Sequence, residues 1–203
     1  MMRFPLSLIL ALLAAAAALA QDSKLHAFEN EILAFEAGDK TNPPPQHATL
    51  FVGSSSIRLW KTLAQDFPGR RVINRGFGGS QIDDSVYFAD RIVTKHEPSV
   101  IVFYAGGNDI NAGKSVETVF NDFKTFAGKV RAKLPATKLV YISIAPNPAR
   151  WAQIDRIREA NRLIRDFTAK EAGLSFIDVH PHMLGADGQP KPDIYLADKP
   201  VAC

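Results

Sequence analysis

Cysteine is almost absent from this chain of 203 residues, because its single cysteine is Cys203. An intramolecular disulfide is therefore excluded, and the folded state has to be stabilised by a buried core. Apolar residues make up 46% of the sequence and charged residues 22%, which is ordinary for a globular domain. The composition is therefore sufficient to build such a core.

The sequence also lacks the patterns of several binding functions. No block of lysine and arginine stands out, and the formal net charge is only +3, which argues against a nucleic-acid partner. Histidine, cysteine and carboxylate residues do not occur at the spacing of metal ligands, so we expect no metal and no cofactor. A dinucleotide fingerprint is missing as well, because Gln81 stands where its last glycine would be.

Long hydrophobic runs are confined to the first twenty residues. Arg3 precedes the apolar run PLSLILALLAAAAALA, which ends in a small-x-small cleavage site, Ala18-Leu19-Ala20. The run is short for a spanning helix, so it predicts a signal peptide over residues 1–20 rather than an uncleaved anchor. We therefore expect a secreted or periplasmic protein, without stable membrane insertion after signal removal. The oligomeric state stays open.

The remainder of the chain alternates between helical and strand patterns. Residues 21–45 are predicted to form an N-terminal helix, stopping near Gly38, and a proline-rich connector, TNPPPQH. Between the first two strands, IRLWKTLAQDF is predicted as one helix. Five short apolar segments are predicted as strands: ATLFVGS, RRVINRGF, PSVIVFYAGGND, TKLVYISIAP and LSFIDV.

This alternation predicts an α/β fold in one domain over residues 46–203. The expected architecture is a three-layer, doubly wound, flavodoxin-like arrangement around a mostly parallel five-stranded sheet. In such sheets ligands bind beyond the carboxyl ends of the strands, near the switch in strand order. Three polar, glycine-rich segments follow the first three predicted strands, so we expect them to meet at that place.

Each of these segments has a structural and a chemical interpretation. In VGSSSI, Ser54 or Ser55 either caps a helix or is a nucleophile at a strand–helix junction. NRGFGGSQ is either a turn that needs positive φ or a backbone N–H presented to an anion. YAGGNDI is either a turn or the source of the Asn108 amide for a developing negative charge, in which case Asp109 anchors the loop. A serine, a backbone donor and an amide donor together are the components of acyl-transfer chemistry.

The segments FVGSSSIRLW, NRGFGGS and AGGNDI, in this order, resemble the SGNH (GDSL-type) hydrolase family over roughly residues 45–198. The sequence is most similar to the bacterial GDSL-like lipase/acylhydrolase branch, in which serine replaces the aspartate of the first motif. The resemblance implies Ser55 as the nucleophile. It implies the Ser55 N–H, the Gly79 N–H and the Asn108 amide as oxyanion donors. The implied substrate is a small-molecule or carbohydrate ester, hydrolysed through an acyl-enzyme.

The family's fourth motif, D-x-x-H, is incomplete in this sequence. Asp198 matches the aspartate that orients the base, but Val201 stands where the family has its catalytic histidine. Valine cannot accept a proton, so we expect impaired catalysis. The C-terminal helix that follows this motif in the family is also expected to be missing. A frameshift or a premature stop would produce such an ending.

Several alternatives remain open at this point. His180 and His182, in DVHPHM, either substitute for the missing base or are solvated surface residues. Arg150 and Trp151, after APNP, either line the acyl or leaving-group pocket or, for Trp151, belong to the core. Asn161 is predicted to be hydrogen-bonded and half-buried.

Two other functions compete with the esterase. An inactive acyl- or carbohydrate-binding module on the same fold would keep the oxyanion donors without turnover. An anion- or phosphate-binding domain would use the glycine loops, but the sequence lacks the corresponding motifs.

Overall fold

The computed structural model describes residues 26–195, so Asp198 and Val201 lie outside the described residues. The strands are β1 (Thr49–Gly53), β2 (Val72–Gly76), β3 (Val100–Tyr104), β4 (Lys138–Ile142) and β5 (Leu174–Ile177). The α-helices of this range are α1 (Glu29–Thr41), α2 (Ser55–Arg58), α3 (Leu63–Asp66), α4 (Ile82–Ile92), α5 (Gly107–Asn111), α6 (Val116–Lys133) and α7 (Ile154–Thr168). Short 3-10 segments span His26–Phe28, Thr94–His96, Pro148–Gln153, Pro181–Met183 and Pro192–Ile194.

The five strands form one sheet in the order β2-β1-β3-β4-β5, and every pairing is parallel. This confirms the predicted doubly wound α/β fold. The strand order reverses between β1 and β3, because the chain moves to one side of β1 to make β2 and to the other side to make β3. The carboxyl ends of these two strands therefore define the switch point at which such folds bind ligands.

Side chains along each strand alternate between two cores. In β1, Leu50 and Val52 join the main core, whereas Phe51 between them joins a smaller cluster on the opposite face. The main core packs the sheet against α1, α4, α6 and α7. These helices contribute, among others, Ile32, Phe88, Phe126 and Ile164. Two cores on opposite faces of one sheet give the three-layer arrangement.

The second face of the sheet is only partly covered. A groove of about 500 Å³ opens between Phe51, Trp60, Phe67 and Val102. Ile177 of the edge strand β5 lines the same groove and is 48% exposed. Within residues 26–195, β5 is followed by the 3-10 turns Pro181–Met183 and Pro192–Ile194.

Two helix predictions were wrong. α1 does not stop at Gly38 but continues to Thr41, since an exposed glycine costs a helix only about 1 kcal/mol relative to alanine. The stretch IRLWKTLAQDF is not one helix but breaks into α2 and α3. At the break, Trp60 packs on Phe51, and its indole N–H donates to Asp66 Oδ2 at 2.5 Å. These tertiary contacts override the local helical pattern.

A cluster of charged side chains, of which Arg75 and His96 are buried, joins β2, α1 and the 3-10 turn before β3. Arg75 of β2 pairs with Asp39 of α1, and Lys95 Nζ lies 2.8 Å from Asp39 Oδ2. His96 Nε2 lies 3.4 Å from Arg75 Nη2 and 3.5 Å from Asp39 Oδ2. Burial, assisted by the positive charge of Arg75, lowers the pKa of His96 to about 4. The native protein therefore keeps this imidazole neutral in mildly acidic solution.

We expect this histidine to make the fold sensitive to acid. Between pH 6.5 and about 4 the unfolded chain binds a proton that native His96 does not bind, so the free energy of unfolding falls as the pH falls. The loss can reach ~3 kcal/mol at pH 4 and is absent above pH 7. Urea unfolding of the wild type and of His96→Asn across this range measures it. Equal pH dependence in both proteins would contradict the prediction. Burial acts to raise the pKa of Asp39, but Lys95 and Arg75 outweigh it and lower this pKa, so the stabilisation from this carboxylate is lost mainly at more acidic pH than that from His96.

Candidate active site

The junction after β1 depends on a glycine. Gly53 has φ 139°, and a Cβ there would lie 1.9 Å from the carbonyl oxygen of Tyr104 in β3. The next residue, Ser54, donates its N–H to the same carbonyl at 3.0 Å. No residue other than glycine fits this close approach, so the chain leaves β1 tightly bound to the end of β3 and enters α2 at Ser55.

Ser55 is the first residue of α2 and is only 1% exposed. Its hydroxyl is buried and has no hydrogen-bond partner, which is uncommon in a folded protein. Within residues 26–195 its N–H donates no hydrogen bond either. The side chain of Ser54, at the N-cap position, makes no capping bond. The helix-cap interpretation of these serines was therefore wrong.

The glycine loop after β2 presents backbone N–H groups. Gly78 N–H points to the carboxylate of Glu31, whose oxygens lie 3.2 and 3.3 Å away. Gly79 has φ 70°, and its N–H donates no hydrogen bond within the described residues. A Cβ at Gly79 would meet nothing within 4 Å, so this glycine is required by its backbone conformation and not by crowding.

Asn108 lies in α5, directly after β3, and is 8% exposed. Its Nδ2 donates to the carbonyl of Ser80 in the glycine loop at 3.0 Å. Its Oδ1 accepts from Arg150 Nη1 at 3.1 Å. An amide nitrogen carries two hydrogens, so one N–H of Asn108 remains for another acceptor.

The sheet brings the three predicted residues to one place. Gly53, the last residue of β1, is in register with Gly76 of β2 and with Tyr104 of β3. Parallel strands lie about 4.8 Å apart, so the junctions that carry Ser55, Gly79 and Asn108 are immediate neighbours. They meet at the switch point of the sheet. Asp198, the fourth predicted site residue, lies outside the described residues.

Asp109 ties the loops of this site together. Its buried carboxylate accepts from the N–H of Ile82, at the start of α4, at 3.1 and 3.3 Å. Burial raises the pKa of Asp109, and the ammonium of Lys114, 3.1 Å away, opposes this rise. The same ammonium lies 2.9 Å from Asp83 and 2.9 Å from Asp122. These three carboxylates are close enough together to hold a cation, and Lys114 already provides one.

A cavity of about 170 Å³ opens beside Asn108. Ser54 and Ser56 line it, whereas Ser55 between them is not part of its wall. Arg150 also lines it, as one of the sequence interpretations predicts, and Trp151 does not. The remaining lining residues are Tyr104, Gly107, Ile144, Ala145, Pro146, Asn147, Ile157, Met183 and Tyr195.

Sequence reasoning missed part of this wall. Tyr195 comes from a segment far along the chain, and its hydroxyl donates to the carbonyl of Pro146 at 2.6 Å. Met183 comes from the 3-10 turn after β5. No motif marks either residue, because their place depends on how the loop after β5 folds back over the ends of β3 and β4.

The two alternative bases differ in environment. His180 is 8% exposed, with Nδ1 3.3 Å from the carbonyl of Ile144 and a buried Nε2 that has no partner. His182 is exposed, as the surface interpretation predicts. The same interpretation is wrong for His180, which is buried. β5 lies three strand intervals from β1, which corresponds to roughly 14 Å, and His180 makes no hydrogen bond to Ser55. His180 is therefore not placed to take the Ser55 proton in this structure.

Asn161 of α7 holds the end of β4 in place. Its Oδ1 accepts from Ile144 N–H at 2.8 Å, and its Nδ2 donates to the Ile144 carbonyl at 2.9 Å. This agrees with the predicted hydrogen-bonded role, although the side chain is fully buried rather than half-buried. The contacts fix Ile144, whose side chain forms part of the cavity wall.

The fold and these junctions define the class of protein: a doubly wound α/β domain with a serine and candidate anion donors at its switch point. The sequence profile of the GDSL-like Lipase/Acylhydrolase family matches residues 46–198, and the chain belongs to this family. It is accordingly a hydrolase that acts on ester bonds. The resemblance predicted from the three motifs is thereby confirmed.

Solved structures agree with the fold. A protein from Streptococcus pneumonia, provisionally named a platelet activating factor, is 19% identical with a TM-score of 0.74, covering 90% of this chain and 89% of that one. A GDSL-like lipase from Bacteroides thetaiotaomicron is 19% identical with a TM-score of 0.67, covering 81% and 86%. A carbohydrate esterase of family 3 from Talaromyces cellulolyticus is 18% identical with a TM-score of 0.50, covering 72% and 89%.

A comparison with curated proteins finds no match. Between residues 26 and 195, no helix combines the length and the apolar character that crossing a membrane requires.

Proposed function

We propose that the protein is an exported serine esterase that works through an acyl-enzyme. The Ser55 hydroxyl attacks the ester carbonyl and gives its proton to a base, and the alcohol leaves with a proton. Water then attacks the acyl-enzyme, releases the carboxylic acid and restores Ser55. The oxyanion of each tetrahedral intermediate is held by the N–H groups of Ser55 and Gly79 and by the Asn108 amide.

The observation that carries this proposal is the state of Ser55. Its buried hydroxyl has no partner, its N–H is unused within the described residues, and the junctions that carry it and Asn108 are adjacent. A nucleophile with donors around it needs such an arrangement, whereas a structural serine normally satisfies its hydroxyl.

The base is the weak part of the proposed machinery. By the family motif, Asp198 would orient a histidine that this sequence replaces by Val201. A serine without a positioned base reacts slowly, so we expect slow turnover in this chain. The same substitution favours a second candidate function, an acyl- or carbohydrate-binding module that keeps the anion donors without catalysis.

The proposed substrate is an ester with a short acyl group, on a small molecule or a carbohydrate. A cavity of about 170 Å³ beside Asn108 accommodates only a few non-hydrogen atoms. This follows because a single water molecule occupies about 30 Å³ of the liquid. A lipase and a carbohydrate esterase among the similar structures are compatible with such a substrate.

Covalent labelling tests the proposal. We expect prolonged incubation with p-nitrophenyl acetate to leave one acetyl group on the Ser55 peptide, detected by mass spectrometry. Ser55→Ala should lose the label, and Ser175→Ala, a change of an exposed serine in β5, should keep it. Label that persists in Ser55→Ala would contradict the esterase. Ligand binding without any covalent label on Ser55 would favour the binding module. The intact mass of protein purified from the periplasm or medium also tests export, because it should lack residues 1–20.

A further inference from the structure

We infer that Arg150 is a positioning residue, which holds the Asn108 amide in the one orientation that offers an N–H to the oxyanion. This inference rests on the proposed function for its catalytic consequence. The orientation itself is a separate, measurable property. Nothing in the family motifs carries the inference, because Arg150 lies on the loop after β4, outside all of them.

The orientation follows from the chemistry of the two groups that contact the amide. The Arg150 guanidinium can only donate, and it lies 3.1 Å from Oδ1. The Ser80 carbonyl can only accept, and it lies 3.0 Å from Nδ2. A flipped amide would set its NH₂ group against the guanidinium and its oxygen against the carbonyl. Both contacts would be repulsive, so the pair fixes the amide.

The backbone that carries Arg150 is fixed by hydrogen bonds within the loop after β4. Asn147 Oδ1 accepts from Ala149 N–H at 2.9 Å, and the Arg150 N–H donates to the Asn147 carbonyl at 3.0 Å. Arg150 has φ −121° and ψ 18°, which interrupts the 3-10 segment Pro148–Gln153 at this residue. The start of α5 lies close to the guanidinium, because a Cβ at Gly107 would stand at van der Waals distance, 3.7 Å, from Arg150 Nη1.

Two effects on catalysis follow from this contact. One N–H of the amide donates to the Ser80 carbonyl, and the other is held in the orientation that the oxyanion needs. A charged donor on Oδ1 also polarises the amide, which makes its remaining N–H a stronger donor. Arg150 therefore acts on the reaction through Asn108. Loss of Arg150 should therefore weaken stabilisation of the transition state, which lowers kcat, and should have little effect on substrate binding.

Kinetics measure the catalytic consequence, in the Val201→His background so that a base is present. We expect Arg150→Met to lower kcat about 10- to 100-fold, since removing a whole oxyanion donor costs about 10²- to 10³-fold. KM should change less than about twofold. Arg150→Lys should recover part of the loss. Arg158→Met is the matched control, because Arg158 lies over Trp151 and pairs with Asp155 on an exposed surface, and it should leave kcat unchanged.

Nuclear magnetic resonance measures the orientation without requiring activity. The side-chain NH₂ signals of Asn108, assigned by their loss in Asn108→Asp, should change chemical shift and exchange faster with solvent in Arg150→Met, and stay unchanged in Arg158→Met. Unchanged Asn108 signals in Arg150→Met would overturn the inference, and so would an effect confined to KM. If no variant hydrolyses esters, the proposed function fails, while these signals still decide the role of Arg150.

Discussion

Replacing Val201 by histidine is expected to raise kcat for p-nitrophenyl acetate by roughly 10³-fold or more. The reason is that a serine hydroxyl needs a base to remove its proton, and the loss of a triad histidine typically costs several powers of ten. Asp198 stands three residues earlier, where the family places the partner of that histidine. The gained activity should increase with pH through the ordinary histidine range, around pH 6.5.

Two further variants separate a new base from other effects of this change. Val201→Ala alters the size of the side chain without adding an imidazole and should show no gain. Val201→His combined with Ser55→Ala should fall back to the background rate, because the base then has no nucleophile to activate. A gain that survives Ser55→Ala would assign the chemistry to another group, and no gain at all would show that residue 201 does not reach the serine.

Replacing Gly53 by alanine is expected to cost about 4 kcal/mol or more of unfolding free energy, a large part of the stability of a typical domain. The added Cβ would lie 1.9 Å from the Tyr104 carbonyl oxygen and 2.7 Å from its carbon. Both are backbone atoms in the centre of the sheet, so they cannot turn aside as a flexible side chain would. The φ of 139° adds strain for any residue with a Cβ.

Gly128→Ala is the matched control for this change. Gly128 is exposed in the middle of α6, and a Cβ there would meet nothing within 4 Å. The same chemical change should therefore stabilise the protein by up to about 1 kcal/mol. Urea unfolding of both variants measures the contrast. A Gly53→Ala protein within about 1 kcal/mol of the wild type would show that β1 and β3 do not approach as described.

The sequence predicted the sheet well because its signal is local. Each strand is a short apolar segment bounded by turn residues, and the nearly continuous apolar runs of β1 and β3 correspond to residues that are buried on both faces of the sheet. The break between α2 and α3 was not predictable in the same way. It depends on Trp60, which turns away from a helical course to pack on Phe51, a residue of a different element. A pattern confined to one segment contains no information about such a partner.

The site shows the same division. Ser55, Gly79 and Asn108 lie in motifs at strand ends, where glycine and polar residues mark the junctions. Arg150 contacts Asn108, which lies 42 positions earlier in the sequence. An arginine and an asparagine at that separation carry no signal that they are hydrogen-bonded. The place of Tyr195 in the cavity wall was likewise unpredictable, because it depends on a contact with Pro146, a residue distant in sequence. Contacts between loops depend on how far each loop extends, and a single sequence does not specify that distance.

The contacts of the Asp109 carboxylate affect how well the site would stabilise a transition state. It joins the segment that carries Asn108 to the start of α4, next to the glycine loop, while the ammonium of Lys114 links it to Asp83 of α4 and to Asp122 of α6. The donors on the two loops therefore belong to one preorganised frame. Little reorganisation energy is then spent when negative charge develops on a substrate oxygen, since the dipoles already point to where the charge will form.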